Sequence, residues 1–130
     1  MDIRQFSLDK NLSEQGQWFQ LGPEARIKMR SISSAHARGV RVKLEAPYKA
    51  IKNAGQDLPK EIDEQITKDQ FAQSLIVEWE GLKDGEEPFP YSIANVYLAL
   101  EDEGFADFLV KILVSPGSFK KMADEDEGKQ

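Results

Sequence analysis

Cysteine is absent from all 130 residues. That excludes disulfides, thiolate nucleophiles and any zinc site built on sulfur, and it suits a reducing compartment. Long apolar runs are missing too: the longest, Val96–Leu100, has five residues, against the ~20 needed to span a bilayer. The opening residues, MDIRQFSLDK, lack the apolar core of a signal peptide, so the expectation is a soluble protein of the cytoplasm. Histidine is reduced to His36 alone, which removes any metal-spaced His pair. There is no GxxxxGK[ST], no GxGxxG and no G-x-S-x-G elbow, so the common phosphate-cradling and nucleophile motifs are missing. A triad assembled from distant residues stays open, but a surface or packing role for His36 is the simpler reading. The expectation is a protein that is not an enzyme, with no catalytic, cofactor-binding or metal-binding residues and no cofactor.

What is present fits one domain. The chain is 40% apolar, and a chain of this length buries roughly two-thirds of its unfolded surface, enough for one core without staples. The net charge of −6 conceals an asymmetry. Residues 25–52 hold eight basic side chains (Arg26, Lys28, Arg30, Arg38, Arg41, Lys43, Lys49, Lys52) against Glu45 alone, a balance of +7, so the remaining residues carry −13. Overall acidity argues against a general nucleic-acid binder. Arg26, Lys28, Arg30, Arg38, Arg41 and Lys43 form a possible basic interface that lies against acidic surface, its own or a partner's. The latter case makes a homo-oligomer.

The expected fold is mainly α with a small N-terminal β-hairpin, in a single domain over residues 1–115. Residues 25–30 alternate apolar and basic, which predicts a half-buried strand with Ala25, Ile27 and Met29 inward. Gln17–Leu21 precedes it across Gly22-Pro23-Glu24, so a hairpin is expected over 17–31. Residues 39–44 alternate like a strand, yet Ile32, Val40 and Leu44 also fit one helical face. Ser33 or Ser34 is a cap candidate and Pro47 a stop or kink. Of these alternatives we take helix over 33–54. Asp57 as N-cap, Pro59 in the first turn and the acids Glu61, Asp63 and Glu64 then predict a helix over 59–80. Ile62, Ile66, Ala72, Leu75, Ile76 and Trp79 form its apolar face. Ser92 caps a helix over 92–102, and Phe105, Phe108, Leu109, Ile112 and Leu113 mark another over 104–115. The polar remainder, with acids at 124–127, predicts a flexible acidic tail over 116–130.

Between the third and fourth helices runs VEWEGLKDGEEPFPYS. Gly81 and Asp84-Gly85 reverse the chain, and Pro90 keeps Phe89 out of helical geometry. The expectation is a helix–turn–helix corner in which Phe89 and Tyr91 fold back onto Trp79. The acids at 84, 86 and 87 do not form an EF-hand loop. That pattern needs Asp or Asn at alternate positions before the Gly and a Glu six residues after it, and positions 80, 82 and 91 are Glu, Leu and Tyr.

Read end to end, the chain resembles the tail assembly chaperones of bacteriophages with long non-contractile tails. The carriers are the β-like opening EQGQWFQLGPEARIKMRSIS, the basic segment LEAPYKAI, and the Trp-x-Gly corner followed by Ser92 and Asn95. The most specific part is Trp79, Gly81, Asp84, Gly85, Pro88, Phe89, Ser92 and Asn95 in that spacing, within a similarity covering about residues 14–115. Ala46 departs from the family, in which a basic residue often precedes Pro-Tyr. The resemblance implies a protein that binds the tape measure protein, keeps it soluble and recruits tail tube subunits. It acts in the cytoplasm of the infected host and is absent from the finished virion, with no nucleic acid or membrane as partner. It also implies contact with the tail tube protein through a longer frameshifted form. Gly128-Lys129 can be encoded by a slippery GGAAAG run. The rival classes are an acidic DNA-mimic or anti-restriction inhibitor, and a metal-dependent hydrolase built on residues 84–87.

Overall fold

The computed structural model describes residues 3–120. Its elements are α1 (Lys10–Gln15), β1 (Gln17–Gln20), β2 (Arg26–Met29), α2 (Ala35–Glu45), α3 (Lys49–Asn53), α4 (Lys60–Gln70), β3 (Ile76–Glu80), β4 (Lys83–Asp84), β5 (Glu87–Pro88), α5 (Ile93–Leu100) and α6 (Glu103–Leu113). The fold is α+β, as the sequence implies. Strands β1 and β2 form the expected antiparallel hairpin, with Phe19 opposite Ile27 and Trp18 opposite Lys28. Alternation sends Ile27 and Met29, both 0% exposed, into the core and leaves Arg26 and Lys28 on the outer face.

The expected helix over 59–80 is shorter. Helix α4 ends at Gln70, a π-helical turn spans Phe71–Leu75, and Ile76–Glu80 is strand β3, paired with β2. The three-stranded sheet runs β1-β2-β3. The apolar spacing misleads for a definite reason. Ile76 and Trp79 are three apart, as on one helical face, but β3 carries an extra residue where the register shifts at Lys28/Met29. A bulge there turns both side chains to the same face, so both are buried. Asp57 does not cap α4 either: the cap position falls on Pro59, without a side-chain hydrogen bond.

Residues 33–46 are helical from Ala35 onward. The Ser34 hydroxyl accepts from the Ala37 N–H of α2 at 3.1 Å, Pro47 converts the chain to a 3₁₀ turn over Ala46–Tyr48, and α3 follows. Gln70 on α4 donates to the Ala37 carbonyl of α2 at 3.2 Å. Asp102 marks the start of the last helix, its carboxylate accepting from the Gly104 and Phe105 N–H groups. Of the α6 stripe, Leu109 and Leu113 are buried while Phe108 is 44% exposed.

The domain also extends past residue 115. Residues 116–119 form turns that return Phe119 to the core, 2% exposed, edge-on to Phe19 at 5.5 Å. The Phe119 N–H donates to Gln17 Oε1 at 2.8 Å, and its carbonyl accepts from Asp9 at 2.7 Å. A lone aromatic in a polar stretch carries no periodic signal, so the tail expectation fails for 116–120. The acidic run lies outside the described residues.

Candidate docking groove at the Trp79 corner

The corner starts at the end of β3 and is strand–hairpin–helix, not helix–turn–helix. The Trp79 indole N–H donates to the Phe89 carbonyl at 2.8 Å. Its ring stacks on Phe89 at 5.7 Å and meets Tyr91 edge-on at 5.5 Å, so the expected aromatic cluster forms. Burial beside it pushes the Tyr91 hydroxyl above the ordinary phenol value. Gly81 follows at φ +80°, where an added Cβ would overlap the Glu24 carbonyl oxygen. Glycine is required there both for the left-handed backbone and for the close approach.

Beyond Gly81, β4 and β5 pair as Lys83 with Pro88 and Asp84 with Glu87. Gly85 stands first in the two-residue turn at φ +66°, the position that a II′ hairpin reserves for glycine. Ser92 accepts from the Asn95 N–H at 3.0 Å and caps α5, while the Asn95 amide donates back to the Pro90 carbonyl at 2.8 Å. Trp79, Gly81, Asp84, Gly85, Pro88, Phe89, Ser92 and Asn95 are thus brought into one continuous feature. Asp84 and Pro88, both exposed, contribute through the pairing of the hairpin strands.

That shape leaves a groove of about 490 Å³ beside the hairpin. Leu82 and Phe89 form one wall, Leu98 and Ala99 of α5 another, Phe105 of α6 closes the end, and Lys83, Asp84 and Asp102 give polar edges. Leu98 is 57% exposed. Helix α6 is apolar over more of its circumference than the core covers, with Phe108 and Val110 at 44% and 40% exposure and Val114, just past its end, at 63%. The sequence marks the corner but not this groove, because Phe105 fits a core-facing reading equally well.

The six basic residues do not make one face. On the outer face of the sheet the Arg26 guanidinium lies 3.8 Å over the Trp18 ring and pairs with Glu80 at 2.9 Å. This bond lowers the Glu80 carboxyl and raises Arg26 from their ordinary values. Lys28 approaches the same ring at 5.9 Å. Arg30 points inward, donating to the backbone carbonyls of Glu14 and Ser74 at 2.7 and 2.8 Å. Arg41 pairs with Glu45 at 2.6 Å and with Asp63 at 3.4 Å. Burial alone would raise the Glu45 carboxyl, but Arg41 and Lys52 outweigh it and hold it low. Arg38 and Lys43 remain on the exposed side of α2 without ion pairs among the described residues.

His36 has a partner that sequence spacing does not suggest: its Nδ1 shares a 2.7 Å hydrogen bond with the Ser74 hydroxyl, 38 residues away. Ser74 is 1% exposed. The pair ties α2 to the π-helical turn. Among the described residues no group of three or more His, Cys, Asp or Glu side chains is placed to hold a metal ion, the acids of residues 84–87 included. No helix there is long and apolar enough to cross a membrane.

A family model described as YdaY prophage protein matches residues 32–129. The chain belongs to the YdaY prophage protein family. It is therefore phage-derived. The YdaY match takes in α2 through α6, with the whole corner and the groove; β3 lies inside it and pairs with β2, which lies outside. No curated protein and no solved structure matches the chain.

Proposed function

We propose that this prophage protein is a tail assembly chaperone. It binds the tape measure protein, holds it in solution and recruits tail tube subunits, without enzymatic chemistry and without entering the finished virion. The observation that carries the reading is the open apolar groove between the hairpin and α5–α6, on a chain of net charge −6. A chaperone needs both. The apolar surface takes an amphipathic helix of the client by its i, i+3, i+4 anchors, and the charge keeps the pair soluble. The motif residues build the groove and need not touch the client. A longer frameshifted form would contact the tube protein, and the work would take place in the host cytoplasm. A DNA mimic needs an unbroken acidic surface, and Arg38, Lys43, Lys49 and Lys52 interrupt one here.

The test is co-expression with the tape measure protein encoded in the same prophage. The expected result is a client that moves from the pellet to the soluble fraction and co-purifies with this chain. A client equally insoluble with and without it removes the reading.

A further inference from the structure

A second groove, of about 340 Å³, runs along the other flank of α6, between it and α4. Phe71, Leu100, Ala106 and Val110 floor it. Glu101, Glu103 and Asp107 stand on its edge, and none of the three forms an ion pair among the described residues. Asp63 and Glu64 line it too, and with Lys60 and Lys68 on the α4 side the lining holds five carboxylates against two ammonium groups, so the trough is net acidic and fits a basic helix with an apolar centre.

The same chain carries such a helix. On α2, Val42 is 68% exposed, flanked on the exposed side by Arg38 one turn before it and by Lys43, with Lys49 beyond the Pro47 turn. These three cations form no ion pair among the described residues, unlike Arg41 and Lys52. Helix α2 packs against α4, and the second groove opens between α4 and α6. The helical layer therefore ends in a basic ridge and an acidic trough.

We propose that the α2 ridge of one molecule seats in the α4–α6 trough of a second copy. Val42 lies on the apolar floor, and Arg38, Lys43 and Lys49 face Glu101, Glu103 and Asp107. The contact joins two different patches. It is heterologous, so a pair leaves one ridge and one trough unused, and the assembly extends into a ring or an open array. The proposal does not depend on the chaperone reading.

The experiment is light scattering of the full chain over a range of concentrations, with two variants designed to stay folded because they change exposed positions. Wild type should exceed dimer mass at about 0.1 M salt and lose roughly tenfold or more in association near 1 M, where the Debye length falls from about 10 to about 3 Å. The ridge variant (R38E, V42E, K43E) and the trough variant (E101K, E103K, D107K) should each be monomeric alone, with circular dichroism unchanged. The decisive pairing is the ridge variant with wild type. Its trough is intact, so it accepts a wild-type ridge but cannot pass the chain on, and it must cap arrays and lower the mean mass. A wild type that stays monomeric at low salt overturns the proposal, as does a folded ridge variant that associates like wild type. A salt-insensitive dimer overturns it too, and points instead to a two-fold apolar contact.

Discussion

Trp79 is held by a hydrogen bond, a stacked ring and an edge-on ring, and at 4% exposure its indole fills the angle between sheet and hairpin. Trp79→Ala should cost about 3–5 kcal/mol, the range for large aromatic truncations in a core. That is a large share of the roughly 6–20 kcal/mol available to a chain of this length. Urea melts check it, and a loss below about 1 kcal/mol would mean that the corner is not supported by this ring. Gly81→Ala puts a Cβ into the Glu24 carbonyl from a left-handed backbone. It should destabilise by well over the ~1 kcal/mol typical of a point change, read by the same melts. At the other end of the sheet, Glu14 accepts from the Ala35 N–H at 2.6 Å and from the His36 N–H at 3.3 Å. The Ala35 bond is the main reason that its carboxyl lies below the ordinary 4.5. A carboxyl lowered by folding is protonated more readily in the unfolded chain. Its stabilising effect is complete above about pH 4.5 and is lost as the pH falls through the folded value. Glu14→Gln should therefore flatten the acid side of a melting-temperature profile while changing little at the lowest pH. An unchanged slope would show that the cap bears no charge-dependent load.

Among the elements, the hairpin, α5 and α6 are legible because each rests on a local period or cap, whereas α2 carries two competing periods and only its serine cap favours the helix. Strand β3 is not legible, since a bulged strand and a helix both bring Ile76 and Trp79 to one side, and only the partner strand β2 decides between them. The groove is half legible: its corner residues stand out by spacing, but the exposure of Leu98 is decided by tertiary packing that no local period encodes. Phe119 illustrates the limit. Its side chain is fixed by Phe19 and its backbone by Gln17 and Asp9, all of them near the opposite end of the chain. Phe119→Ala should lower stability by about 3–5 kcal/mol. If the melting curve does not move, residues 116–120 are not part of the cooperative unit.

For the whole molecule, the charge partition of the sequence is met only in part within the chain: Arg26 meets Glu80 and Arg41 meets Asp63, while Arg38, Lys43 and Lys49 form no ion pair among the described residues. What remains is an acidic body with an uncovered apolar arc on α5 and α6, which a chaperone of an aggregation-prone phage protein requires. Under the proposed function the client docks in the corner groove. The most direct measurement is a binding titration of the client against wild type and Leu98→Glu. Leu98 is 57% exposed, so the substitution spares the fold while placing a charge on the groove wall. If the client docks there, binding weakens at least tenfold, about 1.4 kcal/mol, with an unchanged melting temperature. Equal affinity for the two proteins, or no binding by either, would contradict it.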